Sequence, residues 1–294
     1  MQYNVCMHEV RIALITSILS LSILASISAL AVPTTSSEGV LKTTFLDVGQ
    51  GDATFIESPS GVQVLIDGGK NARVLESLEK EMGYFDTDID MVIATHPDGD
   101  HIGGLVDVLQ HYTIHTIVLT ENVSDTPVYE AFMRAVNAEG ADIRYARKGQ
   151  VYSLGIGTSG TTTLHILFPD YDPTHLESNT SSIVSVLRYG LVEYVLTGDS
   201  PKQIEEYLVE KYPHALDAEV LKVGHHGSRT SSSEMFVSAV SPLYAIISSG
   251  KDNSYGHPHK EVIDIFTAQD IPLLNTAEEG SIETYTDGRE IWFE

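Results

Sequence analysis

Cysteine is almost absent from this 294-residue sequence. The only one, Cys6, precedes a long apolar run, so no intramolecular disulfide can form. The same count excludes a zinc site built on cysteine thiolates. We therefore expect the fold to be stabilised by its hydrophobic core and by any metal that histidines and carboxylates can hold.

Positive charge is also scarce. The sequence has 17 Lys and Arg against 41 Asp and Glu, which gives a formal net charge of −24. Such an excess favours solubility and repels polyanions at low salt. No strongly basic nucleic-acid patch is expected, which weakens a nuclease interpretation without removing it.

The first part of the chain differs from the rest. Arg11 precedes an apolar run from Ile12 to Val32, which closes on the small-residue pattern Ala29-Leu30-Ala31. This pattern predicts a signal peptide over residues 1–31, or an uncleaved N-terminal membrane anchor, because the run approaches the roughly 20 residues that cross a bilayer. Residues 32–40 read as a linker. Either interpretation places the domain at 41–294 outside the cytoplasm, secreted or tethered to the membrane.

The domain mixes strand patterns with helix–strand segments in both halves. Helices are predicted at 73–82, 104–112, 127–138, 201–211, 233–240 and 260–268, with short apolar strands between them. The 42% hydrophobic content is enough for one large core. We expect an α/β fold of two sheets with helices outside them.

The densest set of metal-ligand types follows the predicted buried strand at 90–95. His96, Asp98, Asp100 and His101 lie within six residues of each other. Imidazole and carboxylate oxygens suit zinc, iron or manganese. We expect these residues to lie in a tightly curled loop. The residues that supply the curl are Pro97, Gly99, Gly103 and Gly104.

Two further clusters follow apolar strands. Asp199 ends the run Leu196-Thr197-Gly198-Asp199, where a carboxylate can bridge two metals about 3.5–4 Å apart. His225 and His226 follow the strand predicted at 220–223. One of them can be a ligand, and the other can orient a ligand or donate a proton.

Together these residues resemble the metallo-β-lactamase superfamily, and more closely the extracellular hydrolase domain of the ComEC DNA-uptake channel family and its stand-alone secreted relatives. The likeness implies a four-layer αββα metallo-β-lactamase sandwich. It is carried, in order, by Phe45 to Asp52, Thr95 to Gly104, Asn179 to Val186, Leu196 to Asp199, and Gly224 to Ser228 followed by Asn253 to Pro258.

The resemblance also implies a ligand set for two divalent metal ions, zinc favoured over manganese or iron. His96 and Asp98 hold one ion, Asp100 and His101 the other, Asp199 bridges them, and His226 completes the second site. His226 is preferred to His225 because His-Gly-Ser resembles ligand triplets elsewhere in the superfamily. The family's commonest pattern has histidine in place of Asp98 and another before the bridging carboxylate. Whether His175 or Asn179 completes the first site stays open.

Other residues receive supporting roles from the same resemblance. Asp100, His225 and His257 are the expected catalytic residues, with His225 or His257 protonating the leaving group. Asp47, Asp52, Asn179 and Ser228 are expected to orient ligands or contact substrate. Asp52 can orient a histidine through its second nitrogen, or simply form a turn.

The expected reaction is hydrolysis by a metal-bridging hydroxide. The ComEC-like motifs favour a small-molecule or nucleic-acid phosphodiester, and hence a phosphodiesterase or nuclease. An amide or ester hydrolase, including one for lactams or lactones, is the alternative, against which Asp98 argues. A non-catalytic cell-surface binding module is the third hypothesis. The sequence does not indicate the oligomeric state.

Overall fold

A computed structural model describes residues 39–83 and 85–294 of the protein. The predicted signal peptide or anchor, and the linker up to residue 38, lie outside the described residues. Within the described ranges no helix is long and apolar enough to cross a membrane.

Fifteen strands and seven α-helices are present in the described residues. The strands are β1 (Leu41–Phe45), β2 (Thr54–Glu57), β3 (Gln63–Ile66), β4 (Asp88–Ala94), β5 (Thr113–Leu119), β6 (Asp142–Tyr145), β7 (Val151–Gly157), β8 (Gly160–Phe168), β9 (Val184–Tyr189), β10 (Val192–Leu196), β11 (Val220–Lys222), β12 (Tyr244–Ile247), β13 (Leu273–Asn275), β14 (Ile282–Thr286) and β15 (Ile291–Phe293). The helices are α1 (Arg73–Glu81), α2 (Gly99–His111), α3 (Pro127–Glu139), α4 (Lys202–Lys211), α5 (Glu234–Val240), α6 (Lys260–Ala268) and α7 (Thr276–Glu279).

The strands form two sheets. One has eight strands in the order β15-β14-β1-β2-β3-β4-β5-β6, and the other has seven in the order β13-β12-β11-β10-β9-β8-β7. Strands β3 to β6 are parallel in the first sheet, as are β10 to β13 in the second. In parallel sheets the carboxyl ends of the strands meet at one edge, where loops form a site.

Three clusters of buried apolar side chains hold the sheets and helices together in layers. The central one joins the facing sides of the two sheets, for example Phe45 and Ile93 with Leu187 and Tyr194. A second packs helices α1 to α3 on the outer face of the first sheet. The third packs α4 to α6 on the outer face of the second sheet. This is the αββα sandwich that the sequence predicts.

The start of α2 differs from the prediction. The helix begins at Gly99 and not at residue 104, so Asp100 and His101 belong to its first turn instead of a loop. Gly103 and Gly104 do not curl the chain. They allow close backbone approach, because a Cβ atom would lie 2.1 Å from the Lys70 carbonyl oxygen at Gly103 and 2.0 Å from the Gly68 carbonyl oxygen at Gly104.

The chain after residue 268 adds elements that were not predicted. β14 pairs with β1 and with β15, so the C-terminal segment extends the first sheet. The alternation in β14, where Ile282, Thr284 and Thr286 are buried, is a strand signal that could have been recognised. β13 has three residues, which is too short to give a periodic signal.

Candidate metal centre

Loops from both sheets converge on the carboxylate of Asp199, which follows β10. Its oxygens lie 4.0 Å from Nε2 of His96 and 3.2 Å from Nε2 of His101. From the loop after β11, Nε2 of His226 lies 3.5 Å away and Nε2 of His225 3.6 Å away. The three ligand clusters predicted at separate strand ends therefore meet at one point.

The inner histidines each present one free nitrogen to this point. Nδ1 of His96 contacts the Thr95 hydroxyl at 3.0 Å, Nδ1 of His101 contacts Asp67 at 2.8 Å, and Nδ1 of His226 contacts the Ser248 carbonyl oxygen at 3.0 Å. Carboxylate and carbonyl oxygens only accept hydrogen bonds, so in the neutral rings of His101 and His226 the proton is on Nδ1 and the lone pair that a metal requires is on Nε2.

The Nε2 atoms and the neighbouring carboxylate oxygen test whether the site suits a metal. Nε2 of His96, His101 and His226 and Oδ1 of Asp199 are buried and have no hydrogen-bond partner among the described residues. The 3.2 Å pair of His101 and Asp199 is close enough for an ion pair but is not aligned as a hydrogen bond. Buried polar atoms without partners are costly. Divalent cations coordinated by these atoms would satisfy them, so the donor set fits metal binding.

Asp52 and Asp100 lie on either side of His226. The ligand atoms of Asp52, His101, Asp199 and His226 all lie within 4.8 Å of one another. However, Asp52 lies 3.2 Å from Nδ1 of His226, the nitrogen that is already hydrogen-bonded, whereas Asp100 lies 3.5 Å from Nε2. This geometry favours Asp100 as the ligand and Asp52 as the residue that orients His226.

The residues expected at the first metal position are less enclosed. Asp98 lies 3.7 Å from Nε2 of His96, and its side chain is 42% exposed. Its other oxygen accepts a 2.5 Å hydrogen bond from Ser178. Asn179 comes within 3.3 Å of His225 and has a buried amide oxygen without a partner. His175 is exposed and forms no hydrogen bond or ion pair with these groups within the described residues, so Asn179 is the one of the two that the structure shows in contact with the site.

His225 and His257 line the open side. The His225 side chain is 24% exposed, and its Nδ1 contacts Thr230 at 2.9 Å. Ser228 accepts a hydrogen bond from Thr230, so it acts on His225 through that residue. The His257 ring lies 5.6 Å from the His225 ring. Burial and the neighbouring histidines lower the pKa of His257 to about 4. His257 is therefore neutral at pH 7. Of the two histidines, His225 is the one whose Nε2 lies beside Asp199, which favours it by position as the residue that contacts a leaving group.

Asp47 is not brought to this cluster. Its carboxylate pairs with Arg73 at 2.5 Å and accepts a hydrogen bond from the backbone N–H of Gly49. In the structure Asp47 therefore stabilises the turn that leads to Asp52.

The cluster is strongly coupled electrostatically. Burial opposes protonation of His226, but Asp199 and Asp52 outweigh it and raise its pKa to about 10. Burial also opposes the protonated form of His101, yet Asp199 and Asp67 raise its pKa well above the usual value. For Asp199, burial is outweighed by His226 and His101, which hold its pKa well below the usual value. Without metal, protonated histidines thus balance the carboxylates, and a bound cation must displace these protons.

Two functional residues were not recognised in the sequence. Asp67, directly after β3, accepts hydrogen bonds from the Thr95 backbone at 2.8 Å and hydroxyl at 2.7 Å as well as contacting His101. Lys222 has a side chain only 3% exposed and pairs with Asp52 at 2.6 Å. Each carried a signal, because a charged residue at the end of an apolar strand requires a buried partner.

Comparisons with known proteins agree with this geometry. The sequence model described as the Metallo-beta-lactamase superfamily matches residues 46–251. ComE operon protein 3 of Bacillus subtilis (strain 168) is 32% identical over 268 residues, which are 85% of this chain and 33% of that protein. The chain therefore spans about a third of the length of this relative.

Two solved structures share the fold. YhfI, a metallo-beta-lactamase fold protein from Bacillus subtilis, superposes with a TM-score of 0.52 at 16% identity and covers 86% of this chain and 99% of its own. CmlA, a diiron beta-hydroxylase from Streptomyces venezuelae, has a TM-score of 0.51 at 12% identity and covers 81% and 52%. At such identities these likenesses concern the fold alone.

Proposed function

Because the chain belongs to the metallo-β-lactamase superfamily, we propose that it is a metal-dependent hydrolase that cleaves phosphodiesters outside the cytoplasm. The observation that carries the proposal is the set of buried, unpartnered Nε2 atoms of His96, His101 and His226 around the Asp199 carboxylate. A structural histidine cluster would use those nitrogens in hydrogen bonds.

Two divalent cations, with zinc favoured over manganese or iron, would suit these donor atoms. His96 and Asp98 would hold one, and His101, Asp100 and His226 the other, with Asp199 between them. When bound, such a pair supplies Lewis-acid polarisation of a phosphoryl oxygen and a water-derived nucleophile at neutral pH.

The chain's own side chains supply the remaining functions. His225 stands at the open side of the cluster, where its ring can give a proton to the departing oxygen. Thr230 holds its Nδ1, so Nε2 is the atom from which that proton leaves. Asn179, 3.3 Å from the same ring, can orient it or donate a hydrogen bond to a substrate oxygen.

The phosphodiester preference is supported by two features of the chain. The motifs from Phe45 to Asp52 and from Gly224 to Ser228 resemble those of the DNA-uptake channel family, and the chain is similar to ComE operon protein 3. Asp98 also stands where the superfamily's commonest pattern has histidine, which argues against the hydrolysis of amides or esters. The hydrolysis of amides, esters, lactams or lactones is the competing activity, and a binding module without activity is the third outcome.

The test is a substrate panel on the purified protein, stripped of metal and reloaded with zinc, manganese or iron. Bis-p-nitrophenyl phosphate, single-stranded DNA and nitrocefin would be assayed with and without a chelator. We expect metal-dependent cleavage of the first two, and a loss of at least about 100-fold in Asp199→Asn, the removal of a ligand. His111→Ala is the matched control, because His111 is exposed at the end of α2, where its ring bonds the carbonyl oxygen of Asp107 in the same helix.

The panel separates the alternatives. Cleavage of nitrocefin with no attack on either phosphodiester would overturn the substrate assignment and favour the lactam hydrolase. Tight metal binding with no turnover of any substrate would favour the binding module.

A further inference from the structure

An open groove runs beside the proposed ligand Asp100. It has a volume of about 500 Å³, and its lining includes Gln50, Lys70, Val128 and Tyr255. None of these side chains has a role in the proposed hydrolysis. Because the groove reaches Asp100, a substituent attached to a phosphate at the metal centre would extend into it.

Tyr255 is an exposed aromatic ring on a fixed loop. Its side chain is 61% exposed, and its ring lies nearly parallel to that of His257, at 5.6 Å and 23°. The amide of Asn253 holds the loop, since its oxygen accepts hydrogen bonds from the backbone of Tyr255 at 3.2 Å and of His257 at 2.9 Å. Its nitrogen donates to the carbonyl oxygens of Gly250 and His257. A rigid aromatic ring loses little entropy when a flat group stacks on it.

The groove also contains an unused amide donor and an unpaired cation. Gln50 accepts a hydrogen bond from Gly250, but its buried Nε2 has no partner among the described residues. Lys70 is exposed and forms no ion pair within the described part of the chain. A cation without a carboxylate partner is notable in a chain of net charge −24. An ammonium and an amide donor suit an anionic, hydrogen-bonding substituent better than an aliphatic one.

We infer that this groove is the subsite for a nucleoside attached to the scissile phosphate. This inference rests on the proposed phosphodiesterase function and deepens it by assigning the residues that select the substrate. Tyr255 stacks on the base, Gln50 donates to a base or sugar oxygen, and Lys70 contacts the next phosphate. Every base has a flat face, so this subsite distinguishes nucleotides from other esters without reading their sequence.

Two substrates with the same leaving group isolate the subsite. Thymidine 5′-(p-nitrophenyl phosphate) carries a base, whereas methyl p-nitrophenyl phosphate does not. Loss of one stacking contact should reduce kcat/KM of Tyr255→Ala for the thymidine ester by roughly 5- to 150-fold, mainly through KM. The methyl ester should lose far less. Tyr255→Phe keeps the ring and should stay within about twofold of the wild type. Tyr145→Ala removes a comparably exposed tyrosine from β6 and is the matched control.

The outcomes are distinct. Equal losses for both esters would overturn the inference, because Tyr255 would then act on the chemistry or on the fold. No loss for the thymidine ester would overturn it too. If the wild type cleaves neither ester, the proposed function fails, and calorimetric binding of thymidine 5′-monophosphate tests the subsite independently. Weaker binding in Tyr255→Ala, but not in Tyr255→Phe, would support it, and equal binding would refute it.

Discussion

Replacing Lys222 with methionine should destabilise the protein strongly. Lys222→Met removes the cation that lies 2.6 Å from Asp52 and leaves a carboxylate whose side chain is only 5% exposed. Burial opposes ionisation of Asp52, and Lys222 together with His226 outweighs it and lowers its pKa to about 2. Breaking a buried pair by removing one partner costs roughly 3–5 kcal/mol. We expect a loss of that size in the free energy of unfolding at pH 7.

The measurement is urea unfolding in the presence of chelator. Asp52→Asn alone leaves the buried ammonium unpaired and should cost a similar amount. The double variant Lys222→Met with Asp52→Asn removes both charges, so its loss should be smaller than the sum by at least about 2 kcal/mol, well above the additivity error of about 0.5 kcal/mol. Lys80→Met, at an exposed position on α1, should change stability by less than about 0.5 kcal/mol. Additive single losses, or a Lys222→Met loss below about 1 kcal/mol, would refute this reasoning.

Three further predictions follow from particular contacts. Asp67→Asn should lower zinc affinity roughly 10- to 100-fold in a chelator competition, because Asp67 orients His101; unchanged affinity would contradict that role. Burial raises the pKa of Glu205 to about 7, although its carboxylate accepts hydrogen bonds from the backbone of Ser232 and Ser233. The protonated side chain therefore contributes roughly 3 kcal/mol to the free energy of unfolding. This contribution is complete below pH 4.5 and is lost as the pH rises through 7. Glu205→Gln should remove this dependence in unfolding curves between pH 5 and 8, and an unaltered curve would be the contrary result. Gly103→Ala should reduce the melting temperature, because its Cβ would lie 2.1 Å from a backbone oxygen; a wild-type melting temperature would show that the backbone adjusts freely.

The parts of the site that the sequence predicts best are those at the ends of buried strands. His96, Asp199 and the His225–His226 pair follow β4, β10 and β11. Parallel pairing brings the ends of β10 and β11 to one edge of the second sheet, and β4 belongs to the sheet that packs against it. The layered fold was also predictable, because an apolar strand followed by an amphipathic helix indicates that the helix packs on one face of the sheet.

What the sequence does not predict depends on contacts between distant segments. Asp67 is 34 positions from His101, and Lys222 is 170 positions from Asp52, so their roles follow only when the fold places each pair together. The close approach of Gly103 to the Lys70 backbone also joins separate segments, and local helix propensity does not predict it. The neutral state of His257 likewise depends on its burial among three other histidines.

Metal titration of the metal-free protein tests the central claim most directly. We expect calorimetry with zinc to show two ions bound per chain. Protons should be released at the same time, because the histidines must lose them before they can coordinate a metal. Asp199→Asn should lose tight binding, whereas His111→Ala should bind as the wild type does. Absence of tight binding in the wild type, or unchanged stoichiometry and affinity in Asp199→Asn, would contradict the assignment of this cluster as the metal centre.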